Sequence, residues 1–232
     1  MPRALLIGAT GTVGRAVAEV LCSRNWDVVI SARTAQRLDV LRDTLPTGKV
    51  SSLPGSLQSA TAAIDLANQS EADTLDAVVV TTASTWAPRP IADVTFDDIR
   101  SVFDNDLQLH VNAARTFIPR LAPGSVYLAT GGGMADFTFP GMGPISMTQA
   151  AQRALLRSWH KEAKTSGVHI RELLIASMVR GQGPDDAREG SVTATEVAER
   201  IVDVVEQPLE NPGAVVTVEP TPRTTHSTVG GI

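Results

Sequence analysis

Short apolar runs alternate along the chain with longer stretches in which apolar residues recur every three or four positions. This is the pattern of buried strands interleaved with amphipathic helices. The first run, Ala4 to Ile7, breaks at Gly8, and Val13, Val17, Val20 and Leu21 follow at helical spacing. A second strand is predicted over Asp27 to Ser31, then a helix carrying Leu38 and Leu41, a weak strand over Lys49 to Leu53, and a stronger one over Asp76 to Val80. From Thr95 one long helix is expected to reach Pro119, opened by Thr95 and Asp98 at the spacing of a capping box. Val126 to Ala129 reads as a strand ended by Thr130-Gly131-Gly132-Gly133. A helix follows from Ser146 to Thr165, with Ala150, Ala154, Leu155 and Trp159 as its apolar points and Gly167 as its stop. A strand over His169 to Ile175, a polar loop over Pro184 to Gly190, a helix capped by Thr193 and Glu196, and a strand over Gly213 to Val218 complete the order. Alternation of this kind predicts an α/β fold, a doubly wound parallel sheet of Rossmann type with helices on both faces. The expected domain covers residues 1–219, with a flexible tail over 220–232.

The first turn carries the chemistry. Gly8, Gly11 and Gly14, with Thr10, Thr12 and Val13 between them, stand between a strand and a helix. There glycines allow a sharp turn, close approach to a pyrophosphate and tight packing of helix on strand. At the end of strand two, where such folds read the adenosine ribose, the chain has Arg33 and Thr34 with no acid beside them. That favours a 2′-phosphate and hence NADP(H), with Arg15 as a possible second positive charge. Thr82, Ala83 and Ser84 are small enough to let a cofactor lie across the end of the fourth strand.

Composition narrows the partners. A net charge of −5 and a pI near 5.4 argue against nucleic acid, and no apolar run approaches the length of a membrane span. With a strand starting at once and a single cysteine, Cys22, among the apolar positions of helix one, the expectation is a soluble cytoplasmic protein without a signal peptide. No metal-ligating residue is assigned.

Taken together, the glycine turn, Ser31-Ala32-Arg33, the helix ending at Ile118-Pro119, Phe139-Pro140-Gly141, and Gly167-Val168-His169-Ile170-Arg171 resemble the short-chain dehydrogenase/reductase family. The glycine spacing is nearer to its extended and divergent branches. The resemblance implies NAD(P) binding and hydride transfer to or from a small organic molecule. It also implies a homodimer or homotetramer built on the 96–118 and 146–165 helices, and cofactor contacts from Gln149 and Val179. It further implies an Asn, a Ser, and a Tyr with a Lys four residues later. Those positions fall on Asp106 (or Asn105), near Gly132 with Thr130 the closest hydroxyl, on Ile145, and on Gln149. The Pro-Gly expected after the late strand is Ser177-Met178. The single tyrosine, Tyr127, lies within a strand, and Lys161 lies about 18 Å along the helix from Gln149, so neither replaces the missing pair.

A proton source is therefore sought among Asp106 and His110, four residues apart on one helix face, Thr130, and Asp136. A substrate that needs none, an iminium whose carbon takes hydride to give a neutral amine, is the other route, so an imine or activated double bond is as plausible a substrate as a carbonyl. Met134, Phe137, Phe139 and Met142 are expected to form an apolar pocket wall. Three functions remain open: an NADP(H)-dependent reductase without the usual relay, a non-redox cyclase, isomerase or lyase, and a cofactor-sensing protein.

Overall fold

The structure, a computed structural model, describes residues 1–46, 49–180 and 190–218. Its elements are β1 (Arg3–Ile7), α1 (Thr12–Ser23), β2 (Asp27–Ala32), α2 (Ala35–Thr44), β3 (Val50–Pro54), α3 (Ala60–Gln69), β4 (Ala77–Val80), α4 (Phe96–Asn105), α5 (Leu107–Phe117), β5 (Val126–Gly132), α6 (Gly143–Glu162), β6 (His169–Ile175), β7 (Val179–Arg180), β8 (Val192–Thr193), α7 (Ala194–Glu206) and β9 (Val215–Val218).

Seven strands pair in the order β3-β2-β1-β4-β5-β6-β9, all parallel, while β7 and β8 form a separate two-residue pair. The order reverses between β1 and β4, and in such sheets ligands sit beyond the strand ends at that switch point. Alternate residues of each central strand face opposite cores. Leu6, Ile30, Val79 and Leu128 pack with Val17 and Leu21 of α1 and Ile201 of α7. Leu5, Val29, Val78 and Tyr127 pack on the other side with Leu66 of α3, Phe117 of α5 and Leu156 of α6. Cys22 is buried in the first core, and burial pushes its thiol up.

Both capping boxes form. Thr95 accepts from the Asp98 amide and Asp98 from the Thr95 amide, and Thr193 and Glu196 do the same.

Four sequence expectations change. Helix α3 is unforeseen; Ser59 caps it, and Ala63, Leu66 and Ala67 bury its narrow apolar face. The helix expected from Thr95 to Pro119 is two, because the backbone leaves helical geometry at Asp106 (φ −129°, ψ −78°). Strand β5 continues through Thr130 to Gly132, held by β6. Helix α6 starts at Gly143 and turns a different face inward: Ile145, Thr148, Gln152, Arg153 and Leu156 are buried, whereas Ala150 and Ala154 are exposed. Most of the Pro184 to Gly190 loop and the tail from Pro220 lie outside the described residues. Among the described residues no helix is long and apolar enough to cross a membrane.

Candidate functional site

The turn after β1 is built for close approach. Gly8 takes φ +89°, a conformation L side chains rarely adopt, and an added Cβ would also lie 2.8 Å from the Thr81 hydroxyl. A Cβ on Gly14 would collide with the Gly8 carbonyl and lie 2.8 Å from Ala9 Cα, so only glycine lets α1 rest on this turn. Gly11 caps α1 without a side-chain hydrogen bond and no acid stands in the first turn, so the helix presents free amide groups and a positive dipole end. That cradle fits the pyrophosphate of a dinucleotide.

From the cradle a cleft of about 590 Å³ runs across the ends of β1, β2 and β4. Gly8, Thr10, Gly11, Arg33, Thr34, Thr82, Ala83 and Ser84 line it, as expected, and so does Arg37, which the sequence reading missed. Arg37 lies one turn into α2, where its side chain reaches back over the helix start. Arg33 and Arg37 form no ion pair among the described residues. Arg15 instead donates to the Thr10 carbonyl (3.2 Å) and does not line the cleft. Thr12 opens α1, and Val13 packs on the core beside it; Val179 packs on that core from β7. The outer wall is Trp86, whose Nε1 donates to the Gly141 carbonyl (2.7 Å). The Arg89 guanidinium stacks on it at 4.3 Å.

Beyond Thr82–Ser84 lies a smaller cavity of about 190 Å³ at the ends of β4, β5 and β6. Asp106, Thr130, Gly132, Ile145, Gln149 and Gln152 line it, so the four positions aligned with the family's Asn, Ser, Tyr and Lys do converge, without those side chains. The amide of Gln149 fills the space a side chain on Gly132 would take. Gln152 Nε2 donates to the Thr130 carbonyl (2.8 Å), and the Thr130 hydroxyl to Val80 O (3.4 Å). Asp106 is 5% exposed; Ser84 N–H donates to its Oδ1 (3.3 Å) and the Thr148 hydroxyl to its Oδ2 (2.8 Å). Thr82 Oγ1, Ser84 Oγ and Gln149 Oε1 are buried and find no partner among the described residues.

His110 sits behind Asp106 and is not among the lining residues, which corrects the idea of the two working as a pair at the cavity. Burial drives its pKa down, against the opposing pull of Asp106 and the Thr82 backbone. Asp136 is likewise removed as a proton donor. It pairs with Arg153, whose Nε also donates to both oxygens of the fully buried Glu172 (3.2 Å each). Phe137 and Phe139 are 59% and 61% exposed, and among the described residues neither they, Met134 nor Met142 line the cleft or the small cavity. Tyr127 is fully buried in the core, its hydroxyl without a partner among the described residues and its pKa raised by burial.

Comparison with known proteins gives the same assignment. The chain is 17% identical to an alcohol dehydrogenase from the archaeon Thermococcus sibiricus complexed with 5-hydroxy-NADP, over 96% of this chain and 99% of that one (TM-score 0.81). It is 17% identical to a short-chain dehydrogenase from Burkholderia cenocepacia J2315 in complex with NADP, over 94% and 96% (TM-score 0.79). A short chain oxidoreductase from Pseudomonas aeruginosa PAO1 described as containing an atypical catalytic center matches at 17% identity over 94% and 95% (TM-score 0.81). At these identities the likeness is one of fold, but the family model for short chain dehydrogenase matches residues 2–179. The chain belongs to the short-chain dehydrogenase family.

Proposed function

We propose that this protein is an NADP(H)-dependent oxidoreductase that moves hydride to or from a small organic molecule without a Tyr/Lys proton relay. The observation that carries the reading is the pairing of a built dinucleotide cleft, with two unpaired arginines at its adenosine end, and a reaction cavity whose tyrosine position is the apolar Ile145. Gly8, Gly11 and the N-terminus of α1 would hold the pyrophosphate, and Arg33 with Arg37 the 2′-phosphate. Thr82, Ala83, Ser84 and the Gln149 amide would hold the nicotinamide half, whose orphaned polar atoms await partners. A bound nicotinamide supplies the hydride. NADP in the Burkholderia cenocepacia structure and 5-hydroxy-NADP in the Thermococcus sibiricus one support the cofactor class.

With Asp106 already accepting two hydrogen bonds, Asp136 paired and His110 set back with its pKa lowered by burial, no side chain among the described residues is poised as a strong acid over the cavity. Protonation by a general acid contributes roughly a hundred- to ten-thousand-fold to such reactions. An imine bound in its protonated form, whose reduction gives a neutral amine with no proton transfer, therefore suits the site best; an activated double bond, whose hydride adduct is a stabilised enolate still to be protonated rather than an alkoxide, comes next, ahead of ketones. The test is consumption of NADPH with a panel of cyclic imines, enones and ketones. Turnover of the first two classes at rates well above the ketones is the expected result. Product formed equally with oxidised or reduced cofactor would instead mark a non-redox enzyme. We propose further that copies associate through the 96–118 and 146–165 helices, because Met147, Ala150 and Ala154 leave an apolar stripe exposed on α6, and that the protein works in the cytoplasm.

A further inference from the structure

The small cavity is unbalanced in its chemistry. Among the described residues one carboxylate, Asp106, lines it, and no lysine, arginine or histidine does. Arg153 reaches the Gly132 carbonyl but is taken up by Glu172 and Asp136 and is not part of the lining. Burial lowers the pKa of the His110 imidazole behind Asp106, which disfavours a cation on that side as well. Asp106 itself, with one hydrogen bond on each oxygen, keeps free lone pairs.

A buried carboxylate without a cation is costly, and the missing charge is normally supplied by what binds there. A space of about 190 Å³ falls below the roughly 300–1,000 Å³ of sites for drug-sized ligands, so the group it takes is small, of the order of one ring.

We propose that this cavity recognises a cationic N–H group, so that the substrate is a protonated cyclic imine, bound with its iminium nitrogen toward Asp106 and Gln149. The proposal rests on the reading of the protein as a hydride-transferring oxidoreductase and names its substrate class. It also accounts for the missing relay. When hydride arrives at an iminium carbon, the C=N π pair withdraws onto nitrogen as a lone pair and a neutral amine results, with reduced nicotinamide as the two-electron donor. No proton is transferred in that step, so Ile145 in place of a phenol costs nothing. Asp106 stabilises the charge of the bound iminium, which lets the substrate bind in its protonated form.

The experiment is calorimetric titration of the NADP⁺-saturated protein with pyrrolidine, a cation at neutral pH, and with cyclopentanone, its uncharged counterpart of equal ring size. NADP⁺ and NADPH binding are measured first on the same protein. Pyrrolidine is expected to bind at least tenfold more tightly than cyclopentanone. Asp106→Asn should remove that advantage while leaving NADPH binding and the melting temperature near those of the unaltered protein. Equal or tighter binding of cyclopentanone, no binding of either, or an undiminished preference in Asp106→Asn overturns the proposal. If Asp106→Asn does not fold, the comparison of the two ligands on the unaltered protein still decides it. Failure of NADPH to bind would instead overturn the cofactor reading on which the proposal rests.

Discussion

Replacing Arg153 by methionine should destabilise the protein in a way that depends on pH. Arg153 is 5% exposed in its side chain, and its guanidinium joins Glu172, which is fully buried, to Asp136, which is 49% exposed. Removing the cation returns Asp136 to water at little cost, because a half-exposed pair contributes under about 1 kcal/mol. It strands Glu172, and breaking a buried pair from one side typically costs about 3–5 kcal/mol. For a chain of this length that lowers the melting temperature by about 6–20 °C.

The pH dependence follows from Glu172. Burial already raises its pKa above the ordinary carboxylate value, with Arg153 pulling the other way, so in Arg153→Met the pKa rises further. A carboxylate raised in the folded state contributes stability that is fully present below its unfolded pKa and is lost as pH rises through the folded one. The deficit of Arg153→Met should therefore be largest near pH 8 and shrink toward pH 5. Glu172→Gln keeps shape and an acceptor for Nε, leaves Arg153 its bond to Asp136, and should cost only about 1 kcal/mol with the pH dependence gone. Urea unfolding of the three proteins at both pH values is the assay. A deficit for Arg153→Met that is equal at both, or below about 1 kcal/mol at the higher pH, would refute the reasoning. Because Arg153 Nη2 also reaches the Gly132 carbonyl (3.4 Å), the same cluster braces the floor of the small cavity.

Two further outcomes are expected. Tyr127→Phe removes a buried hydroxyl that has no partner, so stability should be unchanged or higher by up to about 1 kcal/mol and turnover unaffected; a loss of activity in a folded variant would return the single tyrosine to the chemistry. Gly14→Ala places a methyl 2.8 Å from Ala9 Cα and 2.9 Å from the Gly8 carbonyl carbon, so despite alanine's better helix propensity it should cost about 1–3 kcal/mol and weaken NADPH binding at least tenfold; thermal unfolding and dinucleotide titration check it, and unaltered binding would show that the turn is not the cradle.

Much of the architecture was legible because its signals are local. The run Ala4 to Ile7 against Gly8 and the helical spacing after it mark β1 and α1, and Thr95 with Asp98 and Thr193 with Glu196 mark two helix starts to the residue. Helix α3 was not legible because its buried face is two alanines and one leucine, too weak a stripe against its polar neighbours, although Ser59 ahead of it was a cap in plain view. The break at Asp106 carries no proline or glycine. It is fixed by tertiary contacts, the Ser84 amide and the Thr148 hydroxyl that hold the carboxylate, and no periodicity reports those. The inward face of α6 was misread for a related reason: Thr148, Gln152 and Arg153 are buried because β5, Asp106 and Glu172 supply partners from distant parts of the chain, while the alanines that look like core face outward. At the site, Asp106, Ile145 and Gln149, aligned from sequence, meet at one cavity, whereas the pairing of Asp136 with Arg153 joins residues with nothing in the sequence to link them.

The central claim is that the cleft holds NADP(H) through Arg33. Its most direct test is fluorescence titration of the purified protein and of Arg33→Ala with NADPH and NADH. The account predicts that NADPH binds at least tenfold more tightly than NADH and that Arg33→Ala loses this preference while NADH binding stays. Binding of neither nucleotide, or an equal loss for both in Arg33→Ala, would contradict it.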